Sequence, residues 1–85
     1  MAKTIRSSGH EALREALTAA RKAAGLTQAD LAKRLKCHQS LIARLESGQR
    51  RIDVIEMIVL ARAIGIDSAK LLKEAEAGTD LIHRL

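Results

Sequence analysis

Apolar residues recur along this chain at three- and four-residue spacing, the period of helices that bury one face. Leu13, Ala16, Leu17, Ala20 and Ala24 make the first stripe. Ser8 with Glu11 has the spacing of a capping box at its start, and Gly25 is suited to end it. Thr27 and Asp30 repeat the capping pattern, while Leu26 can staple onto Leu31 across the helix start. A second helix is therefore predicted from about Thr27 to Leu35, burying Leu31, Ala32 and Leu35. Lys36 and Cys37 form a turn, and a third helix follows from about His38 to Ser47, ahead of Gly48. Asp53 caps a fourth, with Ile55, Ile58, Val59 and Ala63 expected inward and Gly65 as its stop. Asp67 caps a fifth, carrying Leu71 and Leu72. Five short helices with brief links predict a compact all-α domain. Residues 1–8 are expected as a flexible basic arm, 9–75 as the domain and 76–85 as a C-terminal tail.

Composition narrows the class. Eighty-five residues make one small domain, too short for two independent cores. A hydrophobic fraction of 47% argues against general disorder. The absence of Pro, Phe, Tyr and Trp favours helices built on Ala, Leu and Ile. It also argues against the aromatic stacking platforms that grip single-stranded nucleic acid. No apolar run approaches the ~20 residues of a membrane span, and the N-terminus lacks a signal-peptide core. The lone Cys37 excludes an internal disulfide and fits a reducing compartment, so a cytoplasmic location is expected.

Charge then changes the picture. Of a formal net charge of +5, all falls between Lys33 and Arg51, where Lys33, Arg34, Lys36, Arg44, Arg50 and Arg51 face the single acid Glu46. The other nine basic and nine acidic residues cancel. A concentrated cationic stretch attracts a polyanion and speeds encounter. A solvated helix face remains the alternative on charge alone.

The segment GLTQADLAKRLKCHQSLIARLESGQRR, Gly25 to Arg51, resembles the helix-turn-helix of the lambda repressor/Cro (XRE) family. The carriers are Leu-Thr-Gln opening helix 2, Leu-Ala in its middle, Gln-Ser opening helix 3 and Leu-Glu-x-Gly closing it. Each is weak alone; together they are specific, and with helices 4 and 5 the resemblance covers about two-thirds of the chain. It implies a lambda-repressor-like domain, a helix-turn-helix at about 27–47, and a recognition helix in the major groove of double-stranded DNA.

The residues suit that role. Burial of Ile42 and Leu45 would leave Gln39, Ser40, Ala43 and Arg44 near the opposite face as candidate base contacts. A Gln amide can pair bidentately with adenine N6/N7, Ser is permissive, and Arg can reach guanine O6/N7 or a phosphate. The resemblance implies backbone contacts for Thr27, Gln28, Lys36, His38, Ser47, Gln49, Arg50 and Arg51, with Gln28 also bracing Gln39. It further implies that Glu46 pairs with Arg21 as a structural ion pair. The arm residues Lys3 and Arg6 are additional candidates for phosphate.

Three positions depart from the pattern. His38 stands where Ser or Thr usually caps helix 3; it either hydrogen-bonds a phosphate or has no role. Lys36 replaces the usual turn glycine, so either it takes a left-handed backbone or the turn differs. Ile52 replaces a common proline before helix 4.

Catalysis finds no support: there is one Cys, no phosphate-binding Gly loop and no zinc-binding His-Glu-x-x-His. Adjacent Cys37 and His38 are poorly placed to chelate together, and no cofactor or metal is expected. Cys37 reads as a half-buried core residue in preference to a redox switch.

Two functional classes stay open. One is a sequence-specific repressor or autoregulator; the other is a protein-interaction module on the same fold, such as a coactivator-like protein or an antitoxin with a toxin partner. One module reads only a few base pairs, so the resemblance implies a homodimer on a palindrome. Leu81, Ile82 and Leu85 are candidates for its interface, or else fold back on their own domain.

Overall fold

The computed structural model describes residues 7–83; Lys3, Arg6 and Leu85 lie outside the described residues. Five helices follow in order: α1 Ser8–Ala23, α2 Gln28–Leu35, α3 Gln39–Ser47, α4 Val54–Ile64 and α5 Ser68–Ala77. Packing is heaviest between α1 and α5 and between α2 and α3, with α1 also touching α3 and α4. The largest fully buried side chains are Leu17, Leu31, Ile42 and Leu71, one each from α1, α2, α3 and α5. Met57, Leu60, Ala61 and Ile64 of α4 complete the core.

The helix ends follow local chemistry. Thr27 accepts from the Asp30 amide at 3.0 Å while the Asp30 carboxylate accepts from the Thr27 amide at 2.9 Å. Asp53 and Glu56 form the same reciprocal box at the start of α4. Asp67 caps α5 by accepting from the Ala69 amide. The start of α1 corrects the expected Ser8–Glu11 box. Ser7 is the cap, accepting from the His10 amide, and Ser8 is already helical. Two adjacent serines offer the same cap chemistry, and the extended backbone of Ser7 decides between them. At the other end, α1 closes as expected: Leu26 N–H donates to the Arg21 carbonyl and Gly25 N–H to that of Lys22. α5 runs two residues past the expected domain limit, to Ala77.

Burial overturns the expected face of α4. Ile55 and Val59, expected inside, are 68% and 42% exposed and Ile58 is only half-buried, while Ala63 does pack against the core. Apart from Glu56 and Arg62, α4 is apolar all round, so its periodicity carries little information about orientation. Contacts with α5, α2 and α1 turn Met57, Leu60, Ala61 and Ile64 inward instead. On α5, Leu71 is buried and its neighbour Leu72 points out; Leu35 is half-buried and Ala24 exposed.

One tight approach fixes the α1–α5 pair. A Cβ on Gly78, the C-cap of α5, would fall 2.5 Å from the Ala12 methyl. The missing side chain at Gly78 therefore lets the end of α5 lie against α1.

Lys36 adopts the left-handed backbone, φ 56 and ψ 44, as the C-cap of α2. Its amide donates to the Lys33 carbonyl and the next amide, of Cys37, to Ala32, which holds the turn despite the Cβ. Replacing Lys36 with Gly should relieve the left-handed strain of about 1–2 kcal/mol, less about 0.5–1 kcal/mol of added unfolded-state freedom. The net expectation is a small rise in thermal midpoint, on the order of a few degrees, measured by circular dichroism. An unchanged or lower midpoint would contradict it.

Candidate nucleic-acid interface

Helix α3 is pinned on one side and free on the other. Ile42 and Leu45 are buried, Gln39, Ser40 and Arg44 are exposed, and Ala43 is half-buried. The four expected base-contact residues thus share the side of α3 away from the core.

Beneath that face runs a chain of polar side chains. Arg21 of α1 donates from Nε to Glu46 Oε2 at 2.7 Å and from Nη2 to Glu46 Oε1 at 3.0 Å. Its Nη1 donates to the Leu26 carbonyl at 2.7 Å. Gln28 Nε2 donates to the same Glu46 Oε1 at 3.0 Å, and Gln39 Nε2 donates to Gln28 Oε1 at 2.9 Å. The Arg21 and Glu46 side chains are only 8% and 6% exposed, so the ion pair is shielded from water. Burial by itself pushes the Glu46 carboxyl up. The bonds from Arg21 and Gln28 outweigh that and hold it below the usual carboxylate range. The chain crosses from the end of α1 through the start of α2 to both ends of α3.

A second brace sits under the turn after α3. Gly48 is left-handed at φ 86, and a Cβ there would come 2.8 Å from Cζ of the buried Arg14. Sequence reasoning missed Arg14, because a basic residue one turn before Thr18 on an amphipathic helix gives no signal of burial. Arg14 also lines a narrow cleft with His10, Leu13, Arg50, Arg51 and Ile52. Burial, then the charges of Arg51, Arg14 and His83, lowers the His10 pKa.

The expected backbone contacts divide. Thr27, Lys36, His38, Ser47, Gln49 and Arg51 are exposed, and Gln28 is half-buried in the polar chain. His38 is the N-cap of α3 and its side chain makes no cap bond, as expected for a poor capping residue. The Ser47 hydroxyl bonds back to the Arg44 carbonyl. Arg50 is held by Glu56 at 2.6 Å, a partner five residues beyond the basic stretch that sequence reading left unused. Arg34 is also tied inward, donating to the Ala63 carbonyl at 2.8 Å. Cys37 is a free thiol packed against the core, in keeping with the core reading.

The helix-turn-helix family model matches residues 17–71, which contains the polar chain from Arg21 to Glu46. This chain belongs to the XRE-type helix-turn-helix family. An XRE-family like protein from Pseudomonas syringae pv. tomato is 44% identical, with 93% of this chain and 96% of that one covered at a TM-score of 0.80. The clp gene regulator ClgR from C. glutamicum is 27% identical, with 86% and 95% covered at a TM-score of 0.75. No curated protein is a significant match. XRE-type domains are DNA-binding units of transcription regulators, and the matched stretch here runs from α1 into α5. No helix among the described residues is long and apolar enough to cross a membrane.

Removing one partner of a shielded pair leaves a charge without compensation. Glu46→Ala should lower stability by about 3 kcal/mol at neutral pH. Because folding depresses the Glu46 pKa, its contribution is complete above the unfolded value of about 4.3 and fades as pH falls through the lower native value. Urea unfolding of both proteins should show a gap that is constant at neutral pH and narrows only in acid. A gap independent of pH would remove the charge from the explanation.

Proposed function

We infer that this XRE-type protein is a sequence-specific double-stranded DNA-binding regulator, acting in the cytoplasm as a repressor or autoregulator and as a homodimer on a palindromic operator. It acts by occupancy of DNA and needs no cofactor or chemical step. The observation that carries this reading is the exposed face of α3, where Gln39 is braced by Gln28 beside Ser40 and Arg44. A bound amide at the helix start is preorganised for a base edge, and Arg44 lies more than a turn further along.

Phosphate contacts are assigned to Thr27, Gln28, Lys36, His38, Ser47, Gln49, Arg50 and Arg51, which flank α3 on both sides. Thr27 accepts its cap bond and keeps its hydroxyl proton for a phosphate oxygen. Arg50 shares its charge with Glu56, so exposed Arg51 carries the larger part of the contact after α3.

A second copy is needed for enough sequence information. Leu81 and Ile82 support the tail as part of the interface, being 104% and 86% exposed. Thr79 and His83 line a cleft with Ile52, which brings the tail to the start of α4. There Val54 and Ile55 are also exposed. An interface at this end would adjoin the turn after α3 and is compatible with two recognition helices about one DNA turn apart, ~34 Å. No observation favours a toxin or other protein partner over this reading.

Selection from a random duplex library is the deciding experiment. A palindromic enriched motif is expected; enrichment of no motif, with weak binding to every duplex, would favour the protein-interaction module. Gln39→Ala and Arg44→Ala should each lose ~1–3 kcal/mol and relax preference at one base position. Arg51→Ala should weaken every duplex alike and flatten the salt slope by about one. For the dimer, Leu81→Asp with Ile82→Asp should yield a folded monomer by sedimentation and abolish cooperativity between half-sites. If that variant still sediments as a dimer, the tail is not the interface.

A further inference from the structure

We propose that Glu46 determines base specificity at the Gln39 position by fixing, through Gln28, which end of the Gln39 amide faces the DNA. The inference rests on the base-reading role of Gln39 given above and adds a residue that touches no base. A carboxylate can only accept hydrogen bonds, whereas an amide accepts at one end and donates at the other. Glu46 Oε1 therefore requires the NH2 end of Gln28, at 3.0 Å. That turns the Gln28 oxygen toward Gln39, which must answer with its own NH2 end, at 2.9 Å. The polarity of both amides follows from the acceptor-only group at the head of the chain.

The consequence lies in what Gln39 has left. One N–H and its carbonyl oxygen stay available, a donor and an acceptor side by side. Adenine offers N7 as acceptor and N6–H as donor, which this pair satisfies; guanine offers two acceptors, N7 and O6, which it does not. Reversed, the chain would leave both N–H groups of Gln39 free and occupy one of the two lone pairs on its oxygen, which shifts the balance from adenine toward guanine. Arg21 holds the head in place with two bonds to Glu46 and is a positioning residue for the same readout.

Glu46→Gln keeps the shape and breaks the polarity. An amide at 46 must give up one Arg21 bond, and keeping the shorter, 2.7 Å bond turns its NH2 group toward Gln28. That orientation reverses the chain. Gln28→Leu is the second variant: it leaves Arg21 and Glu46 paired and frees the Gln39 amide to turn either way.

The test measures enrichment of adenine over guanine at each position of the selected motif, from random duplex libraries, for the wild type, Gln39→Ala, Glu46→Gln and Gln28→Leu. Salt slopes and thermal midpoints are recorded alongside. The wild type should favour adenine at one position by ~10-fold or more. Glu46→Gln should bring that ratio to parity or below, and Gln28→Leu to near parity beside a uniform loss of affinity from its own missing phosphate contact, with preference at other positions and the salt slope unchanged. If both variants weaken all duplexes equally and keep the ratio, Glu46 is only structural and the proposal is overturned. Should Glu46→Gln not fold, Gln28→Leu tests the one link through which Glu46 can act, and a ratio kept in that variant overturns the proposal. If Gln39→Ala changes preference nowhere, the base-reading role itself fails and this inference falls with it; a change there with an intact ratio in the other two variants sinks this inference alone.

Discussion

The ion pair between Arg21 and Glu46 is the constraint on which the orientation of α3 depends. Taking two charges out of water is unfavourable, and such a pair is tolerated only when nearly every donor and lone pair finds a partner. Here Arg21 uses Nε, Nη1 and Nη2, and Glu46 takes bonds from both Arg21 and Gln28. Partners come from α1, from the link before α2, from α2 and from α3. Few placements of those elements satisfy all of them at once. Apolar contact among Leu17, Leu31, Ile42 and Leu71 supplies the non-directional attraction, and the polar chain selects one register from those it allows.

Arg14 extends the same logic to the turn after α3. With Gly48 left-handed and its Cα against the guanidinium, the chain turns sharply and leads into Arg50 and Arg51. Two arginines on one face of α1, two turns apart, thus brace the last turn of α3 and the bend that follows it. Neither is available to DNA through a buried side chain, though both add to the potential around it.

Cations in the basic stretch have separate duties. Arg34 closes a carbonyl at the end of α4, and Arg50 pairs with the residue that also caps the start of α4. An exposed pair of that kind contributes little to stability, but it fixes where Arg50 points. Lys33, Lys36, Arg44 and Arg51 are left exposed. Long-range attraction depends on the summed charge and is indifferent to this division; local contact is not. The outward face of α4 is the converse case, with Val54, Ile55 and Val59 left exposed among the described residues.

Much of the molecule was legible in its sequence because the determining bonds are local. A cap reaches three residues, a helix stop needs one residue that tolerates a left-handed backbone, and the Ile42–Leu45 stripe sets the free face of α3. The Thr27, Asp53 and Asp67 caps, the stops at Gly25, Gly48 and Gly65 and the face bearing Gln39, Ser40 and Arg44 are all of this type. Pairing of Arg21 with Glu46, 25 residues apart, was legible only through family resemblance, since no local rule connects them. Tertiary structure alone decided which side of α4 is buried, that Leu71 and not Leu72 enters the core, that Arg14 lies under Gly48, and that Glu56 takes Arg50. Each of these depends on a surface contributed by a distant element. An all-apolar helix has no preferred face until its neighbours provide one, and a long basic side chain has no fixed partner until the fold brings an acceptor within reach.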